Sequence, residues 1–290
     1  MKHWTLFFLT VSFFVVGLTS CSVVFNSKAT EDYTEKFPVS DYNRITMNNK
    51  AGNVIVTTGK VDSIAVSYTK KCMGTSDDDA KSHLNDINVY VGGDKNTGLI
   101  TITADFPKVD IGTRDYEVTF TLIIPDSIEL SIQNTTGNIE INGMNKTPTI
   151  TATTGNIKIR DFNCNVKAAT TTGNIDCKIK TLPDAGNVSL ITTKGNQTLA
   201  IEAMDTSSTI NLQASTGNIE VELPSTLKLK FDLKVSTGEV RIKDYKTTTT
   251  GEWSNKHKVG YIGDVEAGKS TLNAATATGD VTLSKLKQSN

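Results

Sequence analysis

One stretch matches a phosphate-binding pattern residue for residue: Gly263-Asp264-Val265-Glu266-Ala267-Gly268-Lys269-Ser270 fits G-x-x-x-x-G-K-S/T. That chemistry needs a buried strand before the loop and a helix starting at the Lys, so that backbone N–H groups and the helix N-terminus face the phosphates. Here Leu272, Ala274, Thr276 and Thr278 continue with a period of two, which predicts strand. Asp264 and Glu266 would also place two negative charges beside the phosphates. The motif reads as a turn into a strand, and no nucleotide is expected.

Other chemistry is equally sparse. Glu140, Lys158, Asp176, Thr198, Glu220, Arg241 and Thr282 hold equivalent outward positions in a repeat that fills the second half of the chain, and their signs are mixed. No cluster of acids with a catalytic base follows from that row. His83 and His257 are the only histidines beyond the leader, and no nucleophile-elbow peptide accompanies them, so no Ser/His/Asp constellation is assigned. Asp77-Asp78-Asp79 is explained by charge at a helix N-terminus without calcium. Cys72, Cys164 and Cys177 are odd in number and irregular in spacing, with no Cys-x-x-Cys, which argues against a disulfide framework and against zinc. No catalytic residue, metal ligand or cofactor is expected. One feature is left: Tyr245, Trp253 and Tyr261, with His257, form the richest aromatic stretch outside the leader. Exposed aromatic rings stack on sugars or anchor a protein partner. The alternative packs them as a cap over a coil missing from the repeat.

The elements that must hold such residues follow from composition and pattern. The 290 residues carry 30 Lys and Arg against 31 Asp and Glu, a net charge of -1. A near-neutral chain lacks the cationic excess that nucleic-acid binding requires. With 37% hydrophobic residues there is material for a real core, and 43 threonines point toward strands.

At the N-terminus, Lys2 precedes an apolar stretch from Leu6 to Leu18, too short for a comfortable membrane span and readable as a secretory leader. It ends Leu18-Thr19-Ser20-Cys21, which resembles the bacterial lipoprotein signal. The resemblance implies cleavage before Cys21, whose sulfur and new amine would carry acyl chains, palmitate among them, and so anchor the protein to a membrane. Ser22 stands where an inner-membrane retention Asp would stand, which implies the outer membrane. Residues 1–20 are thus expected as signal peptide and 21–36 as a lipidated tether.

The peptide Thr-Thr-Gly-Asn-Ile recurs at Thr135–Ile139, Thr153–Ile157 and Thr171–Ile175, with looser copies around Gly195, Gly217, Gly238 and Gly279. The glycines are 18, 18, 22, 22, 21 and 41 residues apart, the last step implying one turn whose marker was lost. At 26 of 28 positions, apolar residues stand seven and five before the glycines (Leu130 and Ile132, Ile210 and Leu212) and two and four after them (Ile139 and Ile141, Ile219 and Val221). Alternation means strands with one buried face, and the change of parity across Gly-Asn means a bend there. A two-strand unit cannot close a core alone, but stacked copies can. The expected fold is all-β, a repetitive β-solenoid (β-helix-like) of about 18–22 residues per coil. Hydrogen-bonded ladders of Thr and Asn are expected along its corner. Residues 37–125 are a looser start of the same system, with one short helix over Ser76–Ile87.

Phe37-Pro38-Val39, Gly52-Asn53-Val54, Ile124-Pro125, the serial Thr-Thr-Gly-Asn-Ile peptides and Thr278-Gly279-Asp280-Val281 together resemble the putative-adhesin domain family of bacterial envelope proteins. The resemblance covers residues 37–285 and implies a β-helical fold without catalytic residues. The expected organisation is a single domain over 37–285, irregular over 37–125 and repetitive over 126–285, with a 286–290 tail. The expected function is a non-enzymatic, lipid-anchored envelope protein with a binding or adhesive face for a glycan or protein. The alternatives are a structural or regulatory envelope component acting through a protein partner, and a polysaccharide-active β-helix enzyme.

Overall fold

The computed structural model describes residues 27–107, 115–205, 207–263 and 270–286. The leader, Cys21 and residues 264–269 of the phosphate-loop match lie outside the described residues. The chain begins with strands β1 (Ser27–Pro38), β2 (Arg44–Ala51), β3 (Val54–Gly59) and β4 (Ser63–Gly74), followed by helix α1 (Asp77–Ser82). Next come β5 (Asn88–Asp94), β6 (Leu99–Asp105), β7 (Asp115–Pro125), β8 (Glu129–Thr136), β9 (Ile139–Asn142), β10 (Thr149–Thr154) and β11 (Ile157–Phe162). The repeat continues through β12 (Val166–Thr172), β13 (Ile175–Leu182), β14 (Asn187–Lys194), β15 (Gln197–Met204), β16 (Thr209–Thr216) and β17 (Ile219–Leu223). It closes with β18 (Leu229–Thr237), β19 (Val240–Ile242), β20 (Thr247–Trp253), β21 (His257–Ile262), β22 (Ser270–Thr278) and β23 (Val281–Lys285).

The protein is all-β with one short α-helix, and its strands form two mixed sheets. The eleven-stranded sheet runs β1-β4-β7-β3-β9-β11-β13-β15-β17-β23-β19. The twelve-stranded sheet runs β20-β21-β18-β22-β16-β14-β12-β10-β8-β2-β6-β5. Pairing is parallel through the middle of each sheet and out to the β19 edge, and antiparallel at the other outer strands. Each Gly-Asn bend hands the chain from the twelve-stranded sheet to the eleven-stranded one, which is why the buried parity changes there. Equal offsets meet across strands: Ile157 pairs with Ile139 and with Ile175, and all three are buried. One cluster of buried side chains extends from Ala29 to Leu283 between the sheets.

The bend itself is specified by sterics. A Cβ on Gly155 would meet the Gly137 carbonyl oxygen at 2.0 Å, and its φ of +149° is one that side-chain-bearing residues avoid. Beside this glycine column runs a ladder of side chains. Asn53, Asn138, Asn156, Asn174, Asn196, Asn218 and Asp280 each accept, through a side-chain oxygen, the backbone N–H of the next corner residue at 2.8–2.9 Å, ending on Glu239. The expected Asn ladder is therefore present. The threonines that serve the corner are not those just before each glycine, which face water. They are Thr170, Thr192 and Thr276, three residues before it, whose buried hydroxyls donate to glycine carbonyls. Asn49 and Asn134 do the same with their amides.

The order of turns departs from the chain order. The 41-residue step hides no lost marker: β22 and β23 insert between β16/β17 and β18/β19, so the Gly279 turn lies inside the Gly238 turn. The intervening residues make the antiparallel β20–β21 hairpin that extends β18. A similar excursion occurs at the other end, where β2 sits between β8 and β6.

Residues 27–36, expected as tether, belong instead to strand β1, paired antiparallel with β4 along its whole length. Its inner face carries Ala29, Tyr33 and Phe37 but also Glu31 and Glu35, so the apolar alternation that marks a strand is broken. Both glutamates are exposed, and charges of this kind on an edge strand discourage a further strand from pairing there. The expected helix over Ser76–Ile87 is a single α-helical segment, Asp77–Ser82, followed by a 3-10 turn at Leu84–Asp86. Ser76 caps it by accepting the Asp79 N–H, and the helix lies against β1 and β4. Ser270, the last residue of the phosphate-loop match, opens strand β22 rather than a helix, so the element that such a loop needs is not there. No helix among the described residues is long and apolar enough to cross a membrane.

Candidate functional site

The two sheets present opposite chemistries to water. On the outer face of the twelve-stranded sheet, strand register aligns two rows. One reads Thr46, Ser131, Thr149, Lys167, Ser189, Asn211, Asn273; the other reads Asn48, Gln133, Thr151, Ala169, Ile191, Gln213, Ala275. The register carries both rows on to β18, where Asp232 follows Asn273 and Lys234 follows Ala275, so their charges are Lys167, Asp232 and Lys234. Asn273 donates to Asn211 Oδ1 at 3.0 Å, fixing part of this face in one orientation. The outer face of the eleven-stranded sheet is ionic by contrast: Lys158 pairs with Glu140 at 3.0 Å, Lys178 with Glu202 at 3.0 Å, and Arg160 with Asp176. Each such surface pair stabilises by under about 1 kcal/mol, but together they occupy that face with itself.

A groove of about 340 Å³ opens on the outer face of the twelve-stranded sheet across β14, β16, β22 and β18. Ile191, 45% exposed, forms one wall and Lys234 the other. Ala275, Ala277, Ser215 and Ser236 keep the floor low, and Gln213 and Thr193 add an amide and a hydroxyl. The depression exists because the residues four and two before each glycine face outward and happen to be small on β22, between longer ones on β14 and β18.

Beyond Lys234 the same row ends at His257 on β21. Its Nε2 lies 2.8 Å from Asp232 Oδ1 and its Nδ1 2.8 Å from Glu252 Oε2. Burial alone lowers the His257 pKa, but the hydrogen bonds to Glu252 and Asp232 outweigh it and leave the pKa above its ordinary value of 6.5. Those same bonds hold Glu252 below the usual carboxylate range. With both ring nitrogens engaged by carboxylates, His257 is a clamp between β20, β21 and β18 rather than a free base.

The three aromatic candidates do not converge. Tyr245 is half-buried and donates its hydroxyl toward the Leu223 and Pro224 carbonyls at 2.8 and 2.9 Å, beside a shallow depression lined also by Leu227, Ile262 and Lys285. Trp253, 43% exposed, lies over Phe231 with a centroid distance of 6.2 Å, and Lys258 approaches its ring. Tyr261 faces Lys230 and Thr248 across the hairpin, and neither it nor Trp253 lines that depression. An exposed aromatic that sequence reasoning missed, Tyr90, is 58% exposed on β5, its ring lying along Gly92 where a side chain would collide. Ile191, Gln213 and Ala275 were missed as well. The available signal was the residue four before each glycine, the outward position of the strand entering the bend.

Cys72, Cys164 and Cys177 are buried. Burial pushes the Cys164 thiol up to about 12 and raises that of Cys177 as well, so both are inert packing residues.

No protein-family profile matches the sequence, and no curated protein does. Solved structures do resemble it. A putative adhesin from Bacteroides fragilis is 12% identical, with a TM-score of 0.44 over 88% of this chain and 97% of the other. A putative cell adhesion protein from Clostridium sporogenes is 12% identical, with a TM-score of 0.36 over 89% and 100%. A putative lipid binding protein from Parabacteroides distasonis is 15% identical, with a TM-score of 0.31 over 88% and 97%. Likeness at this level does not transfer a function.

Proposed function

We propose that this chain is a non-enzymatic, lipid-anchored protein of the bacterial outer membrane, built as a β-solenoid that presents a binding or adhesive face. The solenoid reading is supported by the alternation of strands between sheets and by the pairing of residues 18 or 22 positions apart, such as Ile139 with Ile157 and Ile175 with Gln197. The Leu18-Thr19-Ser20-Cys21 peptide supports acylation at Cys21. Because residues 27–36 are committed to β1, the tether of this reading is confined to 21–26. One observation carries the binding function: the outer face of the twelve-stranded sheet is grooved, with an uncharged floor, while the opposite face is covered by its own ion pairs. Tyr261 and Trp253, on the hairpin at the end of the same sheet, are secondary contacts of that face.

The experiment has two readouts. Cells expressing the full chain should incorporate labelled palmitate, and Cys21→Ala should abolish it; retained label would remove the anchor. Attachment of those cells to glycan- and protein-coated surfaces should drop with Ala275→Glu, which places bulk and charge in the groove. Unchanged attachment would favour instead a structural or regulatory envelope role exercised through a protein partner.

A further inference from the structure

We infer that the groove across β14, β16, β22 and β18 binds an uncharged oligosaccharide segment, laid perpendicular to the strands. This rests on the binding function proposed above and names its ligand class. Four adjacent strands make a groove about 14 Å long, the length of a short run of sugar rings. Its volume of about 340 Å³ falls in the range of small-ligand sites. The lining offers what a sugar presents in reverse. Ile191, Ala275 and Ala277 supply apolar surface for the C–H faces of pyranose rings, and Gln213, Thr193 and Ser215 supply both donors and acceptors for hydroxyls.

Charge selects against the other classes. An acidic polysaccharide or nucleic acid would need a cation for each repeating anion. Lys167, on β12, flanks the β14 wall of the groove, and Lys234 stands at the opposite edge near Asp232 and Glu252, so the floor between them carries no cation. A protein partner would look for a desolvated centre of Trp, Tyr or Arg, and Ile191 is the single large apolar side chain exposed in the groove. A neutral polyhydroxyl chain is what remains.

The test uses the complete mature chain titrated calorimetrically with cellohexaose, maltohexaose and xylohexaose, and with hexagalacturonate as the acidic comparator. At least one neutral hexaose should bind, and Ala275→Glu and Gln213→Ala should each weaken it tenfold or more. Lys158→Ala, on the ionic face, should leave binding within twofold. Both groove substitutions are at outward positions, and unchanged thermal unfolding would establish that the variants fold. Failure of all three neutral hexaoses at millimolar concentration, tighter binding of hexagalacturonate, or equal loss in Lys158→Ala would each overturn the inference. If Ala275→Glu abolishes cell attachment while no hexaose binds, the binding function stands and its ligand class is wrong.

Discussion

At the residue scale, the corner carries the specificity of the fold. Gly155→Ala would drive a methyl to 2.0 Å from the Gly137 carbonyl oxygen and demand a φ of +149°. The expected cost exceeds about 3 kcal/mol, since a forbidden backbone region and a clash against backbone add. Asn156→Ala, one residue on, removes only the acceptor for the Asn174 N–H at 2.8 Å in an exposed ladder, and should cost about 1 kcal/mol. Denaturant melts of the two variants check the ranking; equal costs would mean the ladder, not the glycine, sets the bend. His257 supplies a pH dependence at the same scale. Its folded pKa is raised, so its contribution is complete below about 6.5 and lost as pH climbs through the folded value. Glu252 is lowered from 4.5, so its share is present above that value and lost as pH falls through the folded one. The stability difference between the native chain and His257→Gln should therefore be fullest between the ordinary values of 4.5 and 6.5 and fade as pH rises through the folded pKa of His257. A difference flat over that range would remove the clamp.

Elements show where local signals sufficed and where they failed. The repeat strands were legible because each carries two or three inward apolar residues with period two, as in Leu229, Phe231, Leu233 and Val235 of β18. Strand β1 was not legible, because an edge strand buries little and Glu31 and Glu35 share its inner face. Helix α1 was legible from Ser76 and the Asp run that follows, yet it is shorter than its apolar spacing suggested, because Leu84 and Ile87 reach the core from a 3-10 turn and the residue after it. Ser76→Ala leaves the Asp79 N–H without its 3.2 Å acceptor and should cost about 1 kcal/mol. Hydrogen exchange of the 77–82 amides should rise with it; unchanged protection would mean that packing on β1 and β4 alone holds the helix.

The whole molecule has an order that chain order does not give. Because β22 inserts between β16 and β18, Asn211 neighbours Asn273 rather than Asp232. Adjacent strands about 4.8 Å apart suit a disulfide, whereas positions two strands apart do not. Asn211→Cys with Asn273→Cys should therefore crosslink on oxidation, and Asn211→Cys with Asp232→Cys should not. The reverse result would restore a simple sequential stack. The uncharged groove floor is also a property of the assembled sheet: Gln213 and Ala275 lie 62 positions apart in the chain and meet only through this insertion.

Periodicity by itself settled that strands form, which side chains they bury and where each bend falls, because those depend on neighbours within a few residues. It also supplied the corner asparagines, since a fixed offset from each glycine is a local property. The succession of turns, the strand made from the supposed tether and the groove with its uncharged floor were decided by tertiary structure. Turns with nearly identical apolar faces can stack in more than one order, and only the complete set of pairings, with its end hairpin and helix, selects one.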